Sequence, residues 1–279
     1  MPARHRQLVI CTLLLAHFVN VSAQTSTAPP TPEPSDTSLQ SALDHGAAAF
    51  QAARYDAAVQ HFKTAVSLDP TSAKAHLYLG TAYAYQVVPN LDTPENRATA
   101  NHALQALKPI PETDPDFLPA LREIAAVYRN TAQIDLAREA QLHILQLEPS
   151  DPEAHYTLGV LDWQQAYSNA RAVLAQNGLT DDGNGNPTLP RSACLTLRGE
   201  NGPLVHDGLD HLTRAIELRP NYDDAMQYLQ LTLRRDADLA CGDDATRAED
   251  LAKADLWTSK AMAARKQNES KAAALRHPR

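Results

Sequence analysis

Glycine is scarce in this chain, at 10 of 279 residues. With 43% hydrophobic residues to fill a core, that scarcity predicts a folded, helix-rich protein and excludes a disordered one. Cysteine is scarcer still, at three. No CxxC pair occurs, and HExxH, the phosphate-binding P-loop and GxSxG are missing as well. No serine or cysteine has a recognisable set of catalytic partners. These absences point away from an enzyme, and no cofactor is expected. Basic charge is also short: 25 Lys and Arg face 33 Asp and Glu, for a net charge of −8. Broad nucleic-acid binding needs a basic surface to displace counterions, so it is not expected.

Long apolar runs are confined to the N-terminus. Arg4 and Arg6 precede an apolar run from Leu8 to Val19, and Val21-Ser22-Ala23 reads as a small-residue cleavage site. Residues 1–23 are therefore predicted to be a secretory signal peptide, too short for a spanning helix. Without its two arginines the mature chain would carry −10. Export to the periplasm or beyond is expected. Residues 24–38 are rich in Pro, Ser and Thr and are predicted to form an extended linker.

Pro115 to Trp163 holds the clearest pattern. Leu121, Ile124, Ala125 and Tyr128 share one face of a first helix. After a polar break at Asn130–Gln133, Ala137, Ala140, Ile144 and Leu147 share one face of a second. Pro149 ends that helix, since the residue before proline is pushed out of the α region. Pro115 and Pro149 are 34 residues apart. Similar helix pairs start at Leu39, Ala73, Glu153 and Tyr222. His76-x-x-Leu79-Gly80-x-x-Tyr83 and His155-x-x-Leu158-Gly159 carry the same spacing, with His in a place often held by Trp.

These residues resemble the tetratricopeptide repeat family, in about five degenerate units over 39–265, and the whole is similar to exported bacterial repeat proteins. The resemblance implies an all-α, right-handed superhelical solenoid of antiparallel helix pairs with a concave groove. The residues agree in part: each pair has an apolar face too wide to bury alone, so neighbours must stack. Long inserts are predicted at 86–97 and 177–203, both within helix pairs and on one edge of the stack. The second is expected to stay irregular to Asn201, with helix resuming near Pro203 or Val205. Residues 266–279, with basic residues dominating from Lys260 onward, are expected to form a fraying or disordered tail.

Two cysteines remain beyond the signal peptide. Cys194 and Cys241 fall in within-pair segments of adjacent units, and a disulfide between them is predicted for an exported chain. The Asp181–Asn186 stretch has oxygen ligands at calcium-loop density but lacks the EF-hand order. His206, Asp207, Asp210 and His211 are spaced one turn apart and read as solvated helix pairs. No metal site is expected.

Family geometry would project Phe50, Lys74, Tyr85, Arg122, Arg129, Tyr156, Trp163, Arg234 and Arg235 into the groove. Aromatics and arginines dominate interface energetics, so this set is the predicted binding surface for another protein or a peptide. Tyr156 and Trp163 fit a stacking core equally well. Two alternatives stand beside the scaffold: a subunit docking by its insert edge, and a groove for a small molecule or glycan. A hydrolase of unfamiliar type ranks last.

Overall fold

The computed structural model describes residues 36–110, 114 and 117–276. The predicted signal peptide, linker residues 24–35 and residues 277–279 lie outside them. Among the described residues five helix pairs follow one another: α1 (Leu39–Gln51) with α2 (Tyr55–Leu68), α3 (Ala73–Ala84) with α4 (Pro94–Leu107), α5 (Leu118–Asn130) with α6 (Ile134–Leu147), α7 (Pro152–Gln176) with α8 (Arg191–Leu218), and α9 (Asp223–Ala237) with α10 (Asp244–Arg276). No strand occurs among the described residues. None of the helices searched is long and apolar enough to cross a membrane.

Local chemistry sets the helix starts. The hydroxyls of Ser38, Ser72 and Thr93 each accept an N–H three residues on. Asp151 accepts from Glu153 N and Ala154 N, ahead of Pro152 in the first turn. Each satisfies donors that the helix itself cannot. The two shortest within-pair turns are alike: Ala53 and Ala132 both adopt φ of 56°.

The pairs close at glycines. A Cβ built on Gly46 would lie 2.4 Å from the Phe62 ring, on Gly80 2.4 Å from Leu107, and on Gly159 2.4 Å from Leu212. At each crossing the first helix gives up its side chain so that a large residue of the second can fill the space. Ala42, Ala49, Ala58 and Ala65 are fully buried beside Phe62, so small residues let the first two helices approach.

Turns within pairs gather on one edge, as expected. Asn90 N, before α4, donates to Asn130 O at 2.9 Å, at the α5–α6 turn. Arg191 at the start of α8 reaches Cys241 O at 2.8 Å, in the α9–α10 turn.

Two expected boundaries are corrected. The α7–α8 connection is short, residues 177–190, and α8 begins at Arg191 and runs through Pro203. Gly199, Asn201, Gly202 and Pro203 read locally as breakers. Tertiary contacts override them: Asn201 is 1% exposed, and its amide donates to Ala166 O and accepts from Asn169. Cys194 and Leu197, in the part expected to be irregular, are buried against Ala166, Ala170 and Leu174. At the other end, α10 continues beyond Arg265 to Arg276. Asn268 there bonds Asn221 O and Asp223, which extends the helix's hold on the start of α9.

Candidate functional site: a charged cleft between the third and fourth helix pairs

A cleft of about 390 Å³ opens beside α5, the α6–α7 turn and the end of α8. Its walls carry Arg122, Arg129, Arg219, Glu148, Asp151 and Glu153. It lies at between-pair turns, the edge opposite the inserts. Arg122 donates to Asp151 Oδ2 through Nε at 3.2 Å and Nη2 at 2.8 Å, and also to Glu148. Burial alone would raise the Asp151 carboxyl. Arg122 and the Ala154 and Glu153 N–H groups outweigh it and hold the carboxyl below its ordinary range. Arg219 Nη1 donates to Glu153 Oε1 at 2.6 Å, with its guanidinium 4.3 Å from the Tyr222 ring centroid. Arg129 differs from both. It is exposed, it lines the same cleft, and it has no ion-pair partner among the described residues.

An aromatic ladder runs along α7 and α9 on the far side of Glu153. Tyr222 stands 4.9 Å from Tyr156, Tyr156 5.8 Å from Tyr228, Tyr228 5.2 Å from Trp163 and Trp163 5.3 Å from Tyr167, between ring centroids. Tyr156 is 8% exposed. Burial, the largest influence, holds its hydroxyl well above the ordinary value. Tyr156 belongs to the stacking core with Leu212, Leu229 and Leu233. Trp163, half-buried, packs as a rung of the ladder.

The helices themselves match a known pattern. The tetratricopeptide repeat model matches residues 46–86. A crystal structure of MamA superposes with a TM-score of 0.55 at 14% identity, covering 83% of this chain and 94% of that one. MamA from Desulfovibrio magneticus RS-1, residue 41 to its end, gives 0.55 at 14% identity, covering 83% and 97%. The described chain has the tetratricopeptide repeat fold. No curated protein matches it.

In repeat terms, the histidines that stand in the tryptophan place do one job twice. His76 Nε2 meets Pro70 O at 3.0 Å, and His155 Nε2 meets Pro149 O at 3.2 Å. Each ties the first helix of a repeat to the turn before it.

Beyond Tyr156 and Trp163 of the ladder, the predicted groove residues do not share one surface. Arg122 and Arg129 share the cleft. Phe50 and Tyr85 meet Tyr55 in a three-ring cluster at the first repeat, with Phe50 to Tyr85 at 4.8 Å and Tyr85 60% exposed. Lys74 lies 5.6 Å from the Tyr78 ring centroid in the second repeat. Arg234 and Arg235 do not stand free in a groove. Arg234 donates to Gly183 O at 2.9 Å and pairs with Asp255 at 2.7 Å. Arg235 has a side chain 4% exposed and meets Asp181 at 3.1 Å and Asp238 at 2.9 Å. Both hold the 177–190 loop to the fifth repeat.

That ionic cluster also answers the Asp181–Asn186 stretch. Asn186 accepts from Asp182 N and donates to Asp238 at 2.9 Å. Arg235 pairs with Asp181, and the Asp182 carboxylate accepts from Asn184 N and Asn186 N, so the loop's carboxylates are engaged by its own chain. Cys194 and Cys241 are bonded, with Cα atoms 5.4 Å apart, beside the same loop. Sequence reasoning passed over one further cluster, Asp36 with His45 and His61. Its members are 9 and 16 residues apart, and Asp36 falls in the stretch set aside as linker.

Proposed function

We propose that this protein is an exported scaffold, without catalytic activity of its own, that holds a partner protein or peptide through the cleft between its third and fourth repeats. The observation that carries the reading is Arg129. Arg122 and Arg219 are neutralised by carboxylates of the chain, and Arg129 projects from the same wall with its charge uncompensated. An exposed guanidinium beside apolar lining (Ala126, Ala154) suits a partner carboxylate, side chain or chain end, seated in an extended segment. The signal-like residues 1–23 and the two bonded cysteines support export. A place in an envelope assembly follows from that reading.

One observation favours a second surface. The insert edge is unusually fixed for loops: the disulfide, Arg191, Arg234 and Arg235 all fasten it. Rigid loops on a scaffold suit docking. Photo-crosslinkers at position 126 and at position 184, in living cells, separate the two. Capture of a single partner from position 126, lost in Arg129→Ala, supports the cleft. Capture from position 184 alone moves the site to the insert edge, and capture from neither overturns the scaffold.

A further inference from the structure

We propose that Asp36, His45 and His61 form a binding site for a divalent transition metal, zinc being the best match, on the first repeat. Asp36 stands just before Ser38, the cap of α1. His45 lies on α1 and His61 on α2. All three turn their ligand atoms to one point. Asp36 Oδ1 is 2.6 Å from His45 Nδ1, and Asp36 Oδ2 is 2.7 Å from His61 Nδ1. The three ligand atoms lie within 4.8 Å of one another. The imidazole ring centroids are 5.6 Å apart, with the rings tilted by 54°. The Asp36 side chain is 4% exposed, that of His61 11% and that of His45 34%, so the carboxylate is covered while one imidazole stays open to solvent.

The donor set selects the ion. Two imidazole nitrogens and one carboxylate suit zinc and its borderline neighbours, whereas magnesium and calcium take oxygen shells. Tetrahedral bonds of about 2.0–2.1 Å would place ligand atoms roughly 3.3 Å apart. To reach that geometry the two carboxylate–imidazole contacts, now 2.6 and 2.7 Å, open by about 0.6 Å, while wider separations, which stay within 4.8 Å, close. The ligands come from the pre-helix segment and both helices of one pair, so a bound ion fixes three pieces of chain to each other. Three protein ligands leave one position for water or for a donor from a partner. Without metal both imidazoles bond the Asp36 carboxylate, among their contacts, and metal uptake at those nitrogens displaces the protons they donate.

The test is a titration of the full, chelator-treated chain with Co2+ alone, read by visible absorption, followed by Zn2+ competition. One equivalent of Co2+ with four-coordinate bands, displaced by Zn2+, is expected. Asp36→Asn and His45→Ala should each weaken uptake at least tenfold. A His155→Ala/His211→Ala double variant should bind as the parent does. A second readout avoids variants altogether: on adding one equivalent of Zn2+, the imidazole 15N signals of His45 and His61 should shift. Absence of stoichiometric uptake overturns the site. So does uptake unchanged in Asp36→Asn, or 15N shifts confined to other histidines.

Discussion

Arg235 Nη1 lies 2.9 Å from Asp238 Oδ2, with neither side chain more than 4% exposed. The contact lacks hydrogen-bond angles and is a charge pair. It closes the end of α9 and takes in Asp181 from the 177–190 loop. Burial is the dominant influence on Asp238 and pushes its carboxyl up to about 7, against the pull of Arg235. A folded-state value above the unfolded one (about 3.9) means that folding takes up a proton between the two. This group's contribution to stability is therefore full at low pH and is lost as the pH rises through about 7.

Arg235→Met should be among the most damaging single changes, since it leaves two carboxylates facing each other in the interior. A loss of about 3–5 kcal/mol is expected at pH 8, as for other buried pairs deprived of one partner. The loss should shrink at pH 6, where Asp238 can hold a proton. Urea denaturation at the two pH values measures the difference, and an equal loss at both would sink the idea.

His155 and His211 join the two helices of the fourth repeat, with their Nδ1 atoms 3.0 Å apart. His155 Nε2–H donates to Pro149 O, so its Nδ1 is the acceptor and His211 Nδ1–H the donor. A proton on His155 would set two N–H groups face to face. Burial, then the His155 ring and Arg138, lower the His211 value, with Asp207 and Asp210 opposing. A depressed histidine binds its proton less readily when folded. Stability is thus retained above about pH 6.5 and lost as the pH falls through the folded value. Thermal midpoints between pH 7.5 and 5.5 should fall more for the parent than for His211→Gln.

Gly159→Ala should cost about 1–3 kcal/mol, because the added methyl meets Leu212 at 2.4 Å and the Gly208 carbonyl at 3.1 Å. Gly199→Ala should do the reverse. Nothing lies within 4 Å of its Cβ position, the residue is exposed, and Ala favours a helix interior over Gly by about 0.8–1.0 kcal/mol. Opposite signs from one substitution type, measured by thermal unfolding, test the packing and the helical state of residues 191–203 together.

Cys241→Ser should lower stability by up to about 4 kcal/mol, the chain-entropy value for a bond between residues 47 apart. Limited proteolysis of the variant should show new cuts within 177–190, where the parent resists.

Arg129→Ala should leave the unfolding free energy within about 0.5 kcal/mol of the parent, as for an exposed residue without partners. Arg122→Ala should cost more, about 1 kcal/mol, since it strips Asp151 of its main counter-charge while Asp151 still caps α7. Partner capture from position 126 should fall in both variants. A stable Arg129→Ala protein with undiminished capture would remove that residue from the binding surface.

The fold was readable because each repeat states its own pattern. Gly80 and Gly159 hold the same place in the repeat spacing, and the structure puts each where two helices cross. What could not be read were facts that depend on distant neighbours. Asn201 looks like a breaker until Ala166 and Asn169 come to meet it. Arg234 and Arg235 look like a free basic pair until Asp181, Gly183, Asp238 and Asp255 surround them. Arg122 and Arg129, seven apart on one helix, share a face by periodicity alone. Only the structure distinguishes the neutralised one from the free one. The Asp36, His45 and His61 cluster spans a segment boundary that composition had drawn between residues 38 and 39.

The bond between Cys194 and Cys241 divides the solenoid mechanically. A pull on the two ends of the chain is carried through helix packing alone in the first three repeats. In the last two it bypasses everything between the cysteines. About 160 Å of contour, 47 residues at roughly 3.4 Å each, stays hidden from the load. α7 and α10 lie outside that closed segment, so under load they would behave as the first three repeats do, and only the stretch from most of α8 through α9 is shielded.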